Sequence, residues 1–425
     1  MTLHPIDLTL ILLYIIAILA IGFSKRSKTT SDDDYLLAAR KLSLPAFIMT
    51  LVTTWYGAIF GVGEFIFGYG IVGWITQGLF WYIVYFIFAF YFSKKIHDSG
   101  HTTVADHMKE CVGKKSAAFG SLITFIMTTP APYVLSLGLF LNMLLGVPLL
   151  WSLVLSIGIS ALYVWQGGFR SVVRTDILQF IFMFIGFGLL LAFSIASFGG
   201  FDFLVNNLPA THLTFTGGLT WQLIFVWGFL SFWTIVDPNF YARCYAAKDS
   251  KTAKKGVLYA IFFWFVFDML TLFTALYARA AFPDADPLFS YLTLAEGVLP
   301  LFIQGLFLVT LISIIMSTID SFLFSSSTII ASDILKKKYP NASLKKLTRI
   351  GIFITLVIAL VLALSMQSVI GIIYAIGSVG VSALLIPMLL IFFAKNKLHD
   401  TTIFTSMLLS ALVAGVWMTH GWIHA

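Results

Sequence analysis

The sequence predicts an all-α integral membrane protein of about 12 transmembrane helices, and three observations carry that expectation. Of 425 residues, 59% are apolar and 11% charged, with a mean hydropathy of +0.96. A water-soluble domain needs more polar surface than that. Apolar runs recur at about the twenty residues that carry a helix across the hydrocarbon core. Finally, nearly all Lys and Arg fall in alternate connections between those runs.

The segments lie near 7–24, 44–70, 71–93, 117–146, 148–166, 174–198, 219–236, 256–280, 298–333, 347–366, 369–395 and 402–423. Their connections are too short to hold a soluble domain. Segment 7–24 follows "MTLHPID", which lacks Lys and Arg, and precedes "SKRSK". A cleavable leader has the reverse order of charge. The asymmetry puts the N-terminus outside. Connections 24–43, 94–116, 167–174, 237–255, 334–349 and 394–398 then hold 5, 5, 2, 5, 6 and 2 Lys/Arg, which is 25 of the 26, leaving only Arg279 elsewhere. Both termini are therefore expected outside, on a multi-pass protein of the cell membrane.

The net charge of +7 is accordingly a topology signal: these side chains orient the chain and meet membrane lipids, and no nucleic acid is expected as a partner. Cys111 and Cys244 fall in inner connections, so no disulfide is expected. Asn341-Ala-Ser, which fits a glycosylation pattern, lies on the same inner side. No phosphate-cradling G-x-x-x-x-G-K-[ST] occurs, since "CVGKKS" lacks the spacing, and the eight His form no metal-ligand set. "GVGEFIFGYG" imitates a dinucleotide loop but lies inside a span, where glycine permits close packing or a helix break. Neither an ATP-driven pump nor an enzyme is expected.

Ionisable residues inside spans cost roughly 2.5–3.5 kcal/mol on insertion scales and so are functional candidates. Glu64, Asp176, Asp268 and Asp320 qualify; each either caps or bonds a neighbouring helix or takes part in function. Asp176, in "GGFRSVVRTDILQF", is also a natural helix cap with Thr175. In the ninth segment Ile314, Ser317, Thr318 and Ser321 recur at i, i+3, i+4 and i+7, which makes one stripe. A lone hydroxyl usually bonds back to its own helix. A stripe facing a broken helix can instead present neutral oxygens to a small cation such as sodium. The second segment, "LVTTWYGAIFGVGEFIFGYG", has the glycines for such a break.

Three stretches together resemble the sodium:solute symporter family: "DDDYLLAARKLSLPAFIMTLVTTWYGA", "GGFRSVVRTDILQF" and "MSTIDSFLFSSSTIIASDIL". The resemblance implies a leucine-transporter-like fold of two inverted five-helix repeats, 44–198 and 219–395, with an extra helix and loop before them (1–43) and a final helix after (396–425). An odd number of spans per half independently forces opposite topology. It also implies a sodium site made by the backbone carbonyls of Thr53, Tyr56 and Ile314 and the hydroxyls of Ser317 and Thr318, with Asp176 on the cytoplasmic sodium exit path and Ser325–Thr328 lining it. The substrate would lie between 44–70 and 219–236. Trp55, Trp227, Phe229 and Trp233 would supply its aromatic walls and Ser231, Glu64 and Asp268 its polar groups.

The expected function is sodium-coupled uptake of a small organic solute (an amine, amino acid or carboxylate) by alternating access, with Na+ as the only metal ion. A proton-coupled carrier titrating Glu64 or Asp268 is the alternative. A solute sensor without transport is a further one, less favoured because the chain stops at Ala425 without a signalling domain.

Overall fold

The computed structural model describes residues 4–24, 32–366, 368–394 and 399–419. Lys25, Arg26, Lys28, Lys395 and Lys397, which enter the charge count above, lie outside the described residues, as does the end of the last segment. Apart from one isolated bridge between Leu42 and Ala247, the described residues form helices and their connections.

Helix α1 (Pro5–Phe23) begins where a proline in the first turn needs no N–H partner and where His4 and Asp7 cap each other's backbone. The second expected span is two short helices, α2 (Leu44–Thr53) and α3 (Ile59–Tyr69), separated by Thr54–Ala58. Next come α4 (Val72–Ser99), α5 (Lys114–Leu145), which breaks step at Thr128–Pro130, α6 (Leu149–Gly167) and α7 (Phe169–Phe198). Two π-helical turns, Ile75–Leu79 and Phe88–Phe92, interrupt α4.

The segment expected at 219–236 is longer and broken twice. It comprises α8 (Trp221–Leu230), α9 (Trp233–Val236) and α10 (Pro238–Ala246). Asp237 accepts from Asn239 N at 2.8 Å while Pro238 fills the first turn, so the chain restarts a helix where a connection was expected. That expectation is corrected. Arg243 and Cys244, counted as connection residues, are buried inside the span. Cys111 is exposed, and both cysteines are free.

The remaining helices are α11 (Ser250–Ala281), α12 (Leu301–Ile329), α13 (Leu344–Ser365), α14 (Val369–Phe393) and α15 (Asp400–Thr419). Among the described residues, eleven helical stretches are long and apolar enough to cross a membrane, and α2 with α3 makes the twelfth expected crossing. Each half therefore opens on a broken span. Leu42 ties their ends together: its N–H donates to Ala246 O at 2.9 Å and its carbonyl accepts from Lys248 N at 3.1 Å.

Helix α12 is the centre of the molecule. Every residue from Phe307 to Ile329 is buried, with α7, α1 and α13 along its flanks. Close approach to α7 requires Gly186, where a Cβ would lie 2.0 Å from the Thr310 hydroxyl oxygen. Removed from lipid on all sides, α12 can carry hydroxyls and a carboxylate that a lipid-facing helix could not.

Candidate functional site

The break after Thr53 has local causes. Thr53 and Thr54 donate their hydroxyls to the carbonyls of Met49 (3.0 Å) and Thr50 (2.6 Å), which takes up acceptors of the last turn of α2. Gly57 then permits an approach no other residue would: a Cβ there would stand 2.6 Å from Thr318 Cβ and 2.6 Å from Tyr133 Cδ1. Among the described residues outside helices, no backbone N–H is bonded to the carbonyl of Thr53 or Tyr56.

The stripe on α12 faces this break. The Thr318 hydroxyl lies 3.4 Å from the Thr53 carbonyl across the gap and 3.4 Å from the Ile314 carbonyl on its own helix. Ser317 is fully buried and donates to Asp176 Oδ1 at 2.6 Å. The structure thus brings Thr53, Tyr56, Ile314, Ser317, Thr318 and Asp176 into one buried neighbourhood. Ser321, one turn further, meets Thr54 at 3.1 Å.

Sequence reasoning missed Arg243. Its side chain is 1% exposed, and its Nη2 donates to Thr50 Oγ1 (3.0 Å), Thr54 Oγ1 (2.6 Å), Ser321 Oγ (2.8 Å) and the Thr50 carbonyl (3.2 Å). Asp176 Oδ2, which also accepts from Thr50, lies 3.8 Å away. A fixed cation on α10 thereby ties α2 and α12 together beside the break, next to the Asp176 carboxylate on α7. "DPNFYARCYAA", with its Asp-Pro helix start and single cation among apolar residues, is the signal that could have found it.

A cavity of about 140 Å³ opens on the other side of the break. Its walls include Trp55, Trp81, Tyr85, Trp227, Trp233 and Trp264. Asp268 on α11 enters it, accepting from Tyr56 Oη at 2.6 Å and from Tyr82. Tyr82 in turn accepts from Trp74 Nε1 at 3.3 Å, beside the first π turn of α4. Of the residues expected at a substrate site, Trp55, Trp227, Trp233 and Asp268 line the cavity. Ser231 does not, because its hydroxyl donates to the Gly228 carbonyl at 2.6 Å. Glu64 and Phe229 are exposed on outer faces. Asp320 accepts from Tyr163, a buried contact between helices.

Towards the other end of α12, Ser325 and Thr328 border a void of about 30 Å³, and Ser325 donates to Asn239 Oδ1 at 2.6 Å. Ser326 and Ser327 bond back to the Phe322 and Leu323 carbonyls at 2.8 and 2.5 Å. The hydroxyls of this cluster therefore do not share one path.

The sodium:solute symporter family model matches residues 35–409. The chain belongs to that family. Members are transporters, not enzymes. A sodium/glucose cotransporter from Danio rerio is 26% identical over 84% of this chain and 62% of its own length. One from Vibrio parahaemolyticus is 25% identical over 86% of the chain and 75% of its own. The chain thus spans about three-fifths of the first of these relatives. A substrate-bound, outward-open Na+-coupled sialic acid symporter aligns with a TM-score of 0.81 at 16% identity, covering 97% of this chain and 96% of that one. The fold is leucine-transporter-like.

Gly57 gives the close approach of the break to α12 a direct test. In Gly57→Ala the added methyl meets backbone-proximal carbons of Thr318 and the Tyr133 ring edge, so the break must move away from α12. Overpacking of this kind costs about 1–3 kcal/mol. A thermal melt should fall accordingly, and any stabilisation by NaCl over KCl should shrink with it; an unchanged melt would show that the contact is slack.

Proposed function

We propose that the protein is a sodium-coupled symporter that takes up a small organic solute by alternating access. The observation that carries this is the meeting of the Thr318 hydroxyl with the carbonyls of Thr53 and Ile314 across a broken helix. Neutral oxygens from two separable elements suit a weakly bound monovalent ion, because carbonyl dipoles replace its water shell and parting the elements removes ligands together. The carbonyls of Thr53, Tyr56 and Ile314 and the hydroxyls of Ser317 and Thr318 would hold Na+, and Asp176 would receive it on the way to the cytoplasm. The aromatic cavity would hold the solute.

Residues 44–198 and 219–395 are proposed as the inverted repeats, supported by the broken span that opens each half. Both termini would lie outside, by the Lys/Arg distribution. The driving force suffices: about 2.3 kcal/mol per charge at 100 mV plus about 1.4 kcal/mol for a tenfold sodium gradient sustains roughly a few-hundred-fold accumulation.

The experiment is a melt of purified protein in NaCl and in KCl at equal ionic strength, followed by uptake into proteoliposomes. Sodium should raise Tm saturably, since a ligand at a hundred times its Kd stabilises by about 2.7 kcal/mol. Uptake should require an inward sodium gradient. Identical melts, with uptake that follows a pH gradient in potassium, would overturn sodium coupling in favour of proton coupling through Asp268.

A further inference from the structure

We infer that the solute is a compact organic cation and that Asp268 is its counter-ion, an inference that rests on the aromatic cavity being the solute site.

The first ground is charge. Asp268 is the one carboxyl group among the residues lining the cavity, and no Lys, Arg or His contributes to it. Its carboxylate accepts from two phenols, Tyr56 and Tyr82. Both donors are neutral, so they satisfy lone pairs without cancelling the charge. A carboxyl group away from water either takes up a proton or meets a positive charge. Arg243 is not that partner, because its contacts are Thr50, Thr54 and Ser321 and its nearest carboxylate is Asp176. A cationic occupant would supply the opposite charge that no neighbouring side chain provides.

The second ground is the walls. Trp55 packs against Trp81 at 5.2 Å and Trp233 at 6.3 Å between ring centroids, and Trp227 and Trp264 complete the lining. Indole faces attract cations more strongly than any other side-chain ring. A bare sodium ion would exchange firmly held water for few oxygens here. An ammonium or guanidinium group, more weakly hydrated and carrying its own apolar surface, loses less on entering and gains from every ring. An anionic solute would meet the carboxylate with nothing to offset it. Of amines, amino acids and carboxylates, the cavity thus favours amines.

The third ground is placement. Gly78 belongs to the first π turn of α4, and a Cβ there would lie 3.0 Å from Asp268 Oδ2. The close approach keeps the carboxylate against α4 and open to the cavity. Such turns recur at functional sites.

The test uses the full chain, purified, with thermal stability read in NaCl. Probes are choline, tetramethylammonium and methylguanidine, together with the uncharged isostere of choline in which carbon replaces the quaternary nitrogen, and myo-inositol. At least one cation should raise Tm saturably, while the isostere and the polyol should not. Asp268→Asn should raise the half-saturating concentration of that cation at least tenfold. Equal responses to choline and its isostere, stabilisation by the polyol but by no cation, or no response to any cation would overturn the inference. So would an unchanged cation response in D268N. Should D268N fail to fold, the choline–isostere pair on the unaltered chain still reads the charge. A lost sodium effect with cation binding intact would strike the sodium site instead, so the two failures are distinguishable.

Discussion

Replacing Ser317 and Thr318 together with alanine should erase the difference between sodium and potassium in both melting and uptake. The two hydroxyls are two of the five oxygens proposed to hold the ion, and both sit on one turn of α12. A hydrogen bond or ligand contact to a charged species contributes about 1.5–3 kcal/mol. Losing two removes about 3–6 kcal/mol of ion binding, which is at least a hundredfold in affinity at about 1.4 kcal/mol per tenfold. The side effect on stability is smaller. Ser317 now donates to Asp176 at 2.6 Å, and Asp176 keeps Thr50 as a partner, so the fold should survive with a loss of about 1–3 kcal/mol. Sodium dependence that persists in the double variant would remove these residues from the ion's path.

Replacing Arg243 with methionine should lower stability by about 3–5 kcal/mol, the range seen when one partner of a buried charged network is removed. The substitution keeps the apolar stem and deletes the guanidinium, leaving the hydroxyls of Thr50, Thr54 and Ser321 without their shared donor and Asp176 without a nearby cation. Lysine should rescue only in part, because a single ammonium cannot reproduce the planar fork. A residue in an exposed connection would behave otherwise, changing stability by at most about 0.5 kcal/mol. The melting temperature of R243M therefore decides between a buried latch and a loop charge.

That contrast marks where the sequence was readable. Spans declare themselves through about twenty apolar residues each, and the stripe Ile314–Ser317–Thr318–Ser321 through helical spacing, since both are properties of neighbours along the chain. The break at Thr54–Ala58 was readable in part, because Gly57 beside two threonines weakens a helix wherever it occurs. The second broken span was not. Its interruptions at Ser231–Phe232 and Asp237 occupy so few residues that the run still reads as continuous, and the charge of Arg243 drew it into the tally of inner connections. Asp268 was legible as a polar candidate for the substrate site, but its partners were not. Its partners Tyr56 and Tyr82 lie 212 and 186 residues away, and only tertiary packing brings them together.

The two interruptions in the span Trp221–Ala246 have a mechanical consequence. A continuous helix would act as a lever, so that tilting its upper arm would swing the lower one. Here three short rods meet at two joints: α8 borders the aromatic cavity, while α10 holds Arg243 against α2 and α12. In a carrier that works as proposed, the arm at the cavity would be free to move while Arg243 stays bonded to Thr54 and Ser321.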